Sequence, residues 1–563
     1  INNNSTINVT GANSTGIISA NGSLATNNGT INIGNGGTGL AGINYLGVTA
    51  TPASSIPTYG NQSIELVHNG KIVSTGNSAA IGVLASDLKS VVDKNGTTLN
   101  ITNANAAKIT LGNNSLIDVS SAAGGVGVYS KGLLRSGTMA SVIDNGSKIK
   151  LNTNGIGLYL EGTELTAAAG SIESVNNTTA KGIYTDSNVN SAKNITLLGD
   201  KSIAIHNFGK NSQYTTDINI NNSGNIKLGT SSNRNDPSIG IYTKYANVNH
   251  HGTIETGSKS LGIFSESPLN LTLTSNGSIK VGNEGLGIYK KQGVATISGA
   301  ITTGNSATAV YADNNVTINN NSANISVGDN SFGFIVLNNG TNNYNSSATT
   351  NFTMGSKSVY LYKTGANGVA NTATTVRSNG ISNTAFYAKD GAKITNTGNV
   401  DFSNSIGSVG AYASAGEVYN SGNITVGASD IQNNYYAIGM ATQNGGRVVN
   451  NLGATINVTG NYGIGMFAEG AGSRAENYGT IDISGNGELI GAYGMYLNNG
   501  AYGLNQGTIR TGRYSNDTQK SDSFGVAVMN GAILENRGTI DIDMANSYGI
   551  YIKNGIIKNY GTI

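Results

Sequence analysis

Few residues of this chain are of types that do chemistry. Asp482, Arg510 and Asp541 each follow a Thr-Ile pair, at spacings of 28 and 31 residues. Acids and Arg clustered on one surface can cleave acidic polysaccharides, and glycoside hydrolysis needs two carboxylates flanking a cleft. A single column alternating acid, base, acid instead predicts a solvated ion-pair ladder of little energetic weight. The four His are His68, His206 and the adjacent pair His250-His251. Neighbours on a strand point to opposite faces, so the pair does not converge on one metal ion, and one of the two is expected at the turn before Gly252. Gly34-Asn35-Gly36-Gly37-Thr38-Gly39 has the glycines of a phosphate loop but neither the Lys nor a following helix, and reads as a turn. No catalytic residue, metal site or cofactor is expected, and no enzyme activity.

Those residues sit on a repeat. A unit opening with Gly-Thr-Ile recurs at Gly252, Gly479, Gly507 and Gly538, with relaxed versions at Gly277, Gly398 and Gly422 and spacings of 22 to 31 residues. An elastic period means a fixed rung carrying loops of variable length. Each unit holds three short apolar segments, for example Thr539-Ile540-Asp541-Ile542, Tyr548-Gly549-Ile550-Tyr551-Ile552 and Gly555-Ile556-Ile557-Lys558-Asn559. The alternation has period two, and the segments are rich in β-branched residues. Gly or Asn interrupts every few residues, which excludes a helical array. None of the segments buries its apolar face alone. Stacked on their copies, they predict an all-β, right-handed, three-sided parallel β-helix of about twenty coils, roughly 100 Å long at about 4.8 Å per coil. Residues 1–60 are expected to be an irregular but still β-helical start with a Gly- and Pro-containing loop, and 61–563 a continuous β-helix truncated at both ends.

Composition agrees. The chain has 563 residues with 80 Gly, 4 Pro, no Cys and no Trp, and 11% charged residues, against roughly 25% in ordinary domains. A net charge of +2 without a Lys/Arg run excludes a nucleic-acid partner. The absence of Cys removes disulfides and thiolate metal sites, and points to export.

Two columns follow from stacking like over like. Asn396, Asn420, Asn451, Asn477, Asn505, Asn536 and Asn559 stand two residues before the rung glycine, and are expected to form an amide ladder. A Gly-aliphatic-aromatic signature recurs at Tyr159, Tyr184, Tyr242, Phe264, Tyr289 and Tyr551. Parity puts the aliphatic residues on both sides of the Gly inward, and the Gly and the aromatic outward. The expectation is a stripe of stacked rings on one outer face, with Tyr242 and Tyr289 as candidate platforms for sugars or a protein partner.

Function is expected where the repeat breaks: residues 34 to 60; the polar turn 229 to 238; the Asn/Ser/Thr run 338 to 353 around Tyr344; and the charged loop 512 to 523. The last carries Arg513, Tyr514, Asp517 and Lys520, which with Tyr344 complete the candidate binding residues.

The unit Asn-x-Gly-Thr-Ile, Gly-Ile-Tyr, Asn-Gly, as in Asn536 to Gly555, resembles the passenger repeats of the large autotransporter adhesins of fusobacteria. The likeness covers about residues 60 to 563 and is strongest from 396. It implies secretion through a C-terminal outer-membrane barrel not contained in this stretch, display of a monomeric passenger on the bacterial surface, and attachment to a host-cell glycan or glycoprotein or to another bacterium. No binding residue carries over, because the shared motif is structural. The alternatives are a non-binding spacer that projects a tip domain and, third, a carbohydrate-active β-helix enzyme.

Overall fold

The computed structural model describes residues 1–563 except 21, 44–62, 93–95, 97, 101–104, 323, 485–488 and 513–521. The fold is an all-β parallel solenoid, with no helix among the described residues. The chain divides into two compact units, Ile1–Gly282 and Asn283–Ile563. Each is a three-sided β-helix, with nine coils in the N-terminal unit and eleven in the C-terminal one among the described residues, counted on the strands of the sheet that carries the aromatic column. One coil of the C-terminal unit consists of the strands Tyr493–Asn498, Tyr502–Asn505 and Thr508–Thr511. Each strand pairs in parallel with its counterpart in the next coil, as Thr508 with Thr539 and Tyr502 with Ile533. Ser90–Val92 and Thr98–Asn100 depart from this pattern as a short antiparallel pair.

The core consists of inward columns contributed by every side. On the Gly-Thr-Ile side of the C-terminal unit Ile424, Ile456, Ile481, Ile509 and Ile540 lie in register, all buried. Burying such side chains stabilises each by roughly 1.5–3 kcal/mol, and no coil achieves it without its neighbours.

The aromatic strand departs from the expected parity. Its aromatic points outward, but its Gly points inward and the residue before the Gly outward: in Ala180–Thr185, Lys181 and Tyr184 are half-exposed while Gly182 and Ile183 are buried. The ladder skips the glycine, pairing Ile156 with Lys181 and then Leu158 with Ile183. The register is unchanged across the glycine, yet two consecutive residues of the strand face in. A Cβ on Gly182 would stand 2.4 Å from the Ala204 carbonyl and 3.0 Å from Ile195 Cγ2. This close approach favours glycine, although Ala204 holds the same register position in the next coil.

The 338–353 run is regular rather than a loop. Asn343–Ser346 and Asn351–Met354 are strands, and Tyr344 is fully buried in the core. Its hydroxyl bonds Tyr360 Oη at 2.6 Å and accepts from Asn320 Nδ2 at 3.2 Å. Its polar neighbours disguise a period-two strand in which Tyr344 holds the inward position. It cannot meet a ligand.

Candidate functional site

The asparagine ladder forms with one change of member. Side-chain amides link Asn396 to Asn420 at 2.8 Å, Asn420 to Asn450 at 3.0 Å, Asn450 to Asn477 at 2.9 Å, Asn477 to Asn505 at 2.9 Å, Asn505 to Asn536 at 2.8 Å and Asn536 to Asn559 at 2.7 Å. The member in the third coil is Asn450, not Asn451. The turn Asn451-Leu452-Gly453-Ala454 is two residues longer than its equivalents, so counting back from the glycine lands on an outward residue. Asn451 bonds Ser421 Oγ instead. His68 and His250 occupy ladder positions in the N-terminal unit, opposite Asn27 and Asn222. His250 is buried and His251 exposed, so the pair points apart. Among the described residues no group of three or more His, Asp or Glu could hold a metal ion. Asp482 accepts from Arg510 Nε at 2.8 Å and from a terminal guanidinium nitrogen at 2.7 Å, a half-exposed ion pair on the outer side.

The outer aromatic column is continuous over long stretches. In the N-terminal unit Tyr129, Tyr159, Tyr184, His206, Tyr242 and Phe264 follow one another at centroid distances of 4.7 to 5.7 Å. Tyr242 lies between His206 and Phe264 and donates its hydroxyl to Glu266. Tyr289 stacks on Tyr311 at 5.6 Å and donates to Asp313 at 2.7 Å. Tyr242 stacks on Phe264 and meets His206 edge-on, and Tyr289 stacks on Tyr311, so each ring has a face taken up within the column. Arg513, Tyr514, Asp517 and Lys520 lie outside the described residues.

The column is interrupted in the C-terminal unit at Ile335, Ala441 and Ala527, each in register between two aromatic residues; among the described residues only the Ala441 interruption is joined by an inserted hairpin. Tyr387 packs on Tyr412 at 4.9 Å and Phe467 on Tyr496 at 5.8 Å, but the residue in register between Tyr412 and Phe467 is Ala441. Two strand spacings, about 9.6 Å, then separate the flanking rings, enough for one inserted ring at ordinary stacking distance. Ala441, Ile438 and Ile464 form the floor. The connection ahead of this strand is the long one that stretches the Gly422 to Gly453 spacing to 31 residues. It folds into a small hairpin closed by mutual Asp430–Tyr435 backbone bonds of 2.7 and 2.9 Å and braced by Asn433 on the Asp430 carboxylate. The hairpin sets Ile431 and Tyr436 beside the gap, both more than 40% exposed. The result is a cleft of about 660 Å³ between outer-face side chains and turn residues.

Tyr462 forms another wall, at φ 56°. Neighbouring coils hold Ser382, Gly407 and Gly491 in the same left-handed turn. Lys259, Glu284 and Lys357 hold the same turn position in other coils. Its ring lies over Gly491, where a Cβ would come within 2.7 Å of it.

One end of the cleft is polar. Tyr412 donates to Gln443 Oε1 at 2.7 Å, Gln443 donates to Glu469 Oε2 at 2.7 Å, and Asn498 and Asn499 donate to Glu469 Oε1 at 3.4 and 3.1 Å. Burial raises the phenols of Tyr412, Tyr493 and Tyr496 above their ordinary value, so they remain neutral donors. Glu469 is the one acid among the lining residues, and no Lys or Arg lines the cleft. The arrangement can grip a small amphipathic group between rings while bonding its edge. Motif reading passed over this site. Its signals were the loss of the aromatic in Gly439-Met440-Ala441 and the long spacing in the same repeat.

Residues 246–490, just under half of the chain, match the family model BigA_3rd, the BigA third pectate lyase-like domain. The matched stretch contains the hairpin and Ala441. No curated protein and no solved structure matches the chain.

Proposed function

We propose that this chain is a passenger segment of a bacterial surface adhesin, and that it binds its target on the outer aromatic face of the C-terminal unit. The observation that carries the reading is the coincidence, at Ala441, of a missing ring, an inserted hairpin and exposed aromatic side chains. The likeness to fusobacterial autotransporter repeats, and the match of 246–490 to a pectate lyase-like domain of BigA, fit a surface adhesin. On this reading the chain is monomeric, outer-membrane-anchored through a barrel elsewhere in the protein, and partnered by a host-cell glycan or glycoprotein or by another bacterium. It is not an enzyme on this reading: the cleft has one carboxylate, and two-carboxylate hydrolysis has no second partner there.

The test is saturable binding of the fluorescently labelled 563-residue chain to epithelial cells and to a panel of oral and gut bacteria by flow cytometry. Saturable binding competed by unlabelled chain is expected. A folded sample that binds none of them overturns the adhesive reading and leaves a spacer, to which the closed ring faces of the N-terminal unit are already suited.

A further inference from the structure

We propose that the gap at Ala441 is a subsite for one uncharged hexopyranose unit of a glycan, and that it rejects acidic sugars. This deepens the adhesive reading above and rests on it. Three observations define the occupant. The cleft is bounded by rings: Tyr412 and Phe467 stand on either side of Ala441 in the register, their backbones about 9.6 Å apart, two strand spacings, with Ala441 buried at the floor. A pyranose has the same slab shape, with apolar C–H faces and a rim of hydroxyls. The rim finds partners at one end only. There Gln443, Glu469 and Asn498 are already tied to one another, so they are oriented before the ligand arrives and lose little freedom on binding. Glu469 accepts from hydroxyl donors, and Gln443 and Asn498 supply both donor and acceptor atoms.

The third observation is charge. Glu469 is the acid of the lining, without a lining Lys or Arg to offset a second negative charge. A sialic or uronic acid carboxylate would face it as a like charge with no counter-ion. Ile431, Tyr436 and Tyr462, each more than a third exposed, line the cleft beside these rings.

The test uses the whole 563-residue chain, saturation-transfer NMR and isothermal titration calorimetry. The probes are methyl glycosides of neutral hexoses and N-acetylhexosamines, set against glucuronic acid and N-acetylneuraminic acid. At least one neutral glycoside is expected to bind saturably, and the acids about tenfold more weakly or worse. Ala441→Phe inserts the missing ring and completes the column. It is expected to leave the circular dichroism unchanged and weaken sugar binding by about tenfold or more. Tyr436→Ser lies on the exposed hairpin, outside the coil, and is expected to weaken binding while the fold stays intact. Glu469→Gln is expected to narrow the preference for neutral over acidic sugars to about threefold or less. The proposal is overturned if no neutral glycoside binds, if the acids bind as well as neutral sugars, or if a folded Ala441→Phe chain binds undiminished. Cell binding that survives Ala441→Phe overturns this subsite as the adhesive site while leaving the adhesive reading standing.

Discussion

Asn477→Ala should open the ladder at one coil. Asn477 is fully buried; it accepts from Asn450 Nδ2 at 2.9 Å and donates to Asn505 Oδ1 at 2.9 Å. Alanine leaves a donor on one side and an acceptor on the other without these partners, in a place that water does not reach. Each stranded buried polar group costs about 1–3 kcal/mol, so the variant should lose roughly 2–6 kcal/mol at that coil. In a solenoid the loss is felt first as local opening, because each coil is held by its nearest neighbours. Native-state hydrogen exchange at the amides of Tyr478, Gly479 and Gln506 is the assay, since their backbone N–H groups bond the Asn450 and Asn477 carbonyls. At about 1.4 kcal/mol per decade, protection there should fall by at least about thirtyfold. Asn451→Ala is the matched control: Asn451 is outward and bonds only Ser421 in this region, and exchange around it should change by about threefold or less. Protection that falls no further in Asn477→Ala than in Asn451→Ala would refute the claim that the ladder, rather than the aliphatic columns alone, holds the coils in register.

The N-terminal unit should lose stability in mild acid. Burial pushes the imidazoles of His68 and His250 down to about 4. A depressed folded value means that the unfolded chain binds the proton first, so stability is full above about 6.5 and falls as pH drops toward about 4, by at most roughly 3 kcal/mol per histidine. In the neutral ring Nδ1 accepts from Asn222 Nδ2 and Nε2–H donates to the Ser278 carbonyl, whereas protonation sets donor against donor. His250→Asn restores a ladder amide and should reduce, without abolishing, the pH dependence of thermal melts between those values, since His68 and His206 keep their depressed values; an unchanged pH profile contradicts this account. Gly439→Ala should cost about 1–3 kcal/mol by overpacking, because its Cβ would meet Ile456 Cγ2 at 2.4 Å and the Gly465 carbonyl at 2.5 Å; denaturant melts equal to wild type count against the close-approach reading. Lys193→Met should destabilise the N-terminal unit by about 3–5 kcal/mol, because it strands Asp144, its buried partner at 2.7 Å. The double variant Lys193→Met, Asp144→Leu should recover much of that loss, and a double variant as unstable as the single one would contradict the ion-pair explanation.

The sequence alone determined the class of the fold. Alternation of period two, glycine or asparagine every few residues and a recurring Gly-Thr-Ile are local properties, and the stacking of Ile424, Ile456, Ile481, Ile509 and Ile540 follows from them. The outward aromatic column and the amide ladder were legible for the same reason: in a stacked solenoid, equal sequence positions become neighbours. Tertiary structure decided what depends on the spacing between rungs. The ladder took Asn450 because two extra turn residues loop out without moving the strand. Tyr344 went inside because its parity, not its polar surroundings, sets its face. The glycine of the aromatic strand turned inward because two consecutive residues of that strand face in, which strict alternation does not contain. The cleft needed three separate stretches, the coil at Ala441, the hairpin at 430–435 and the turn at Tyr462, to meet on one face. Their meeting depends on how an inserted loop folds back over a stack, and chain distance does not encode that.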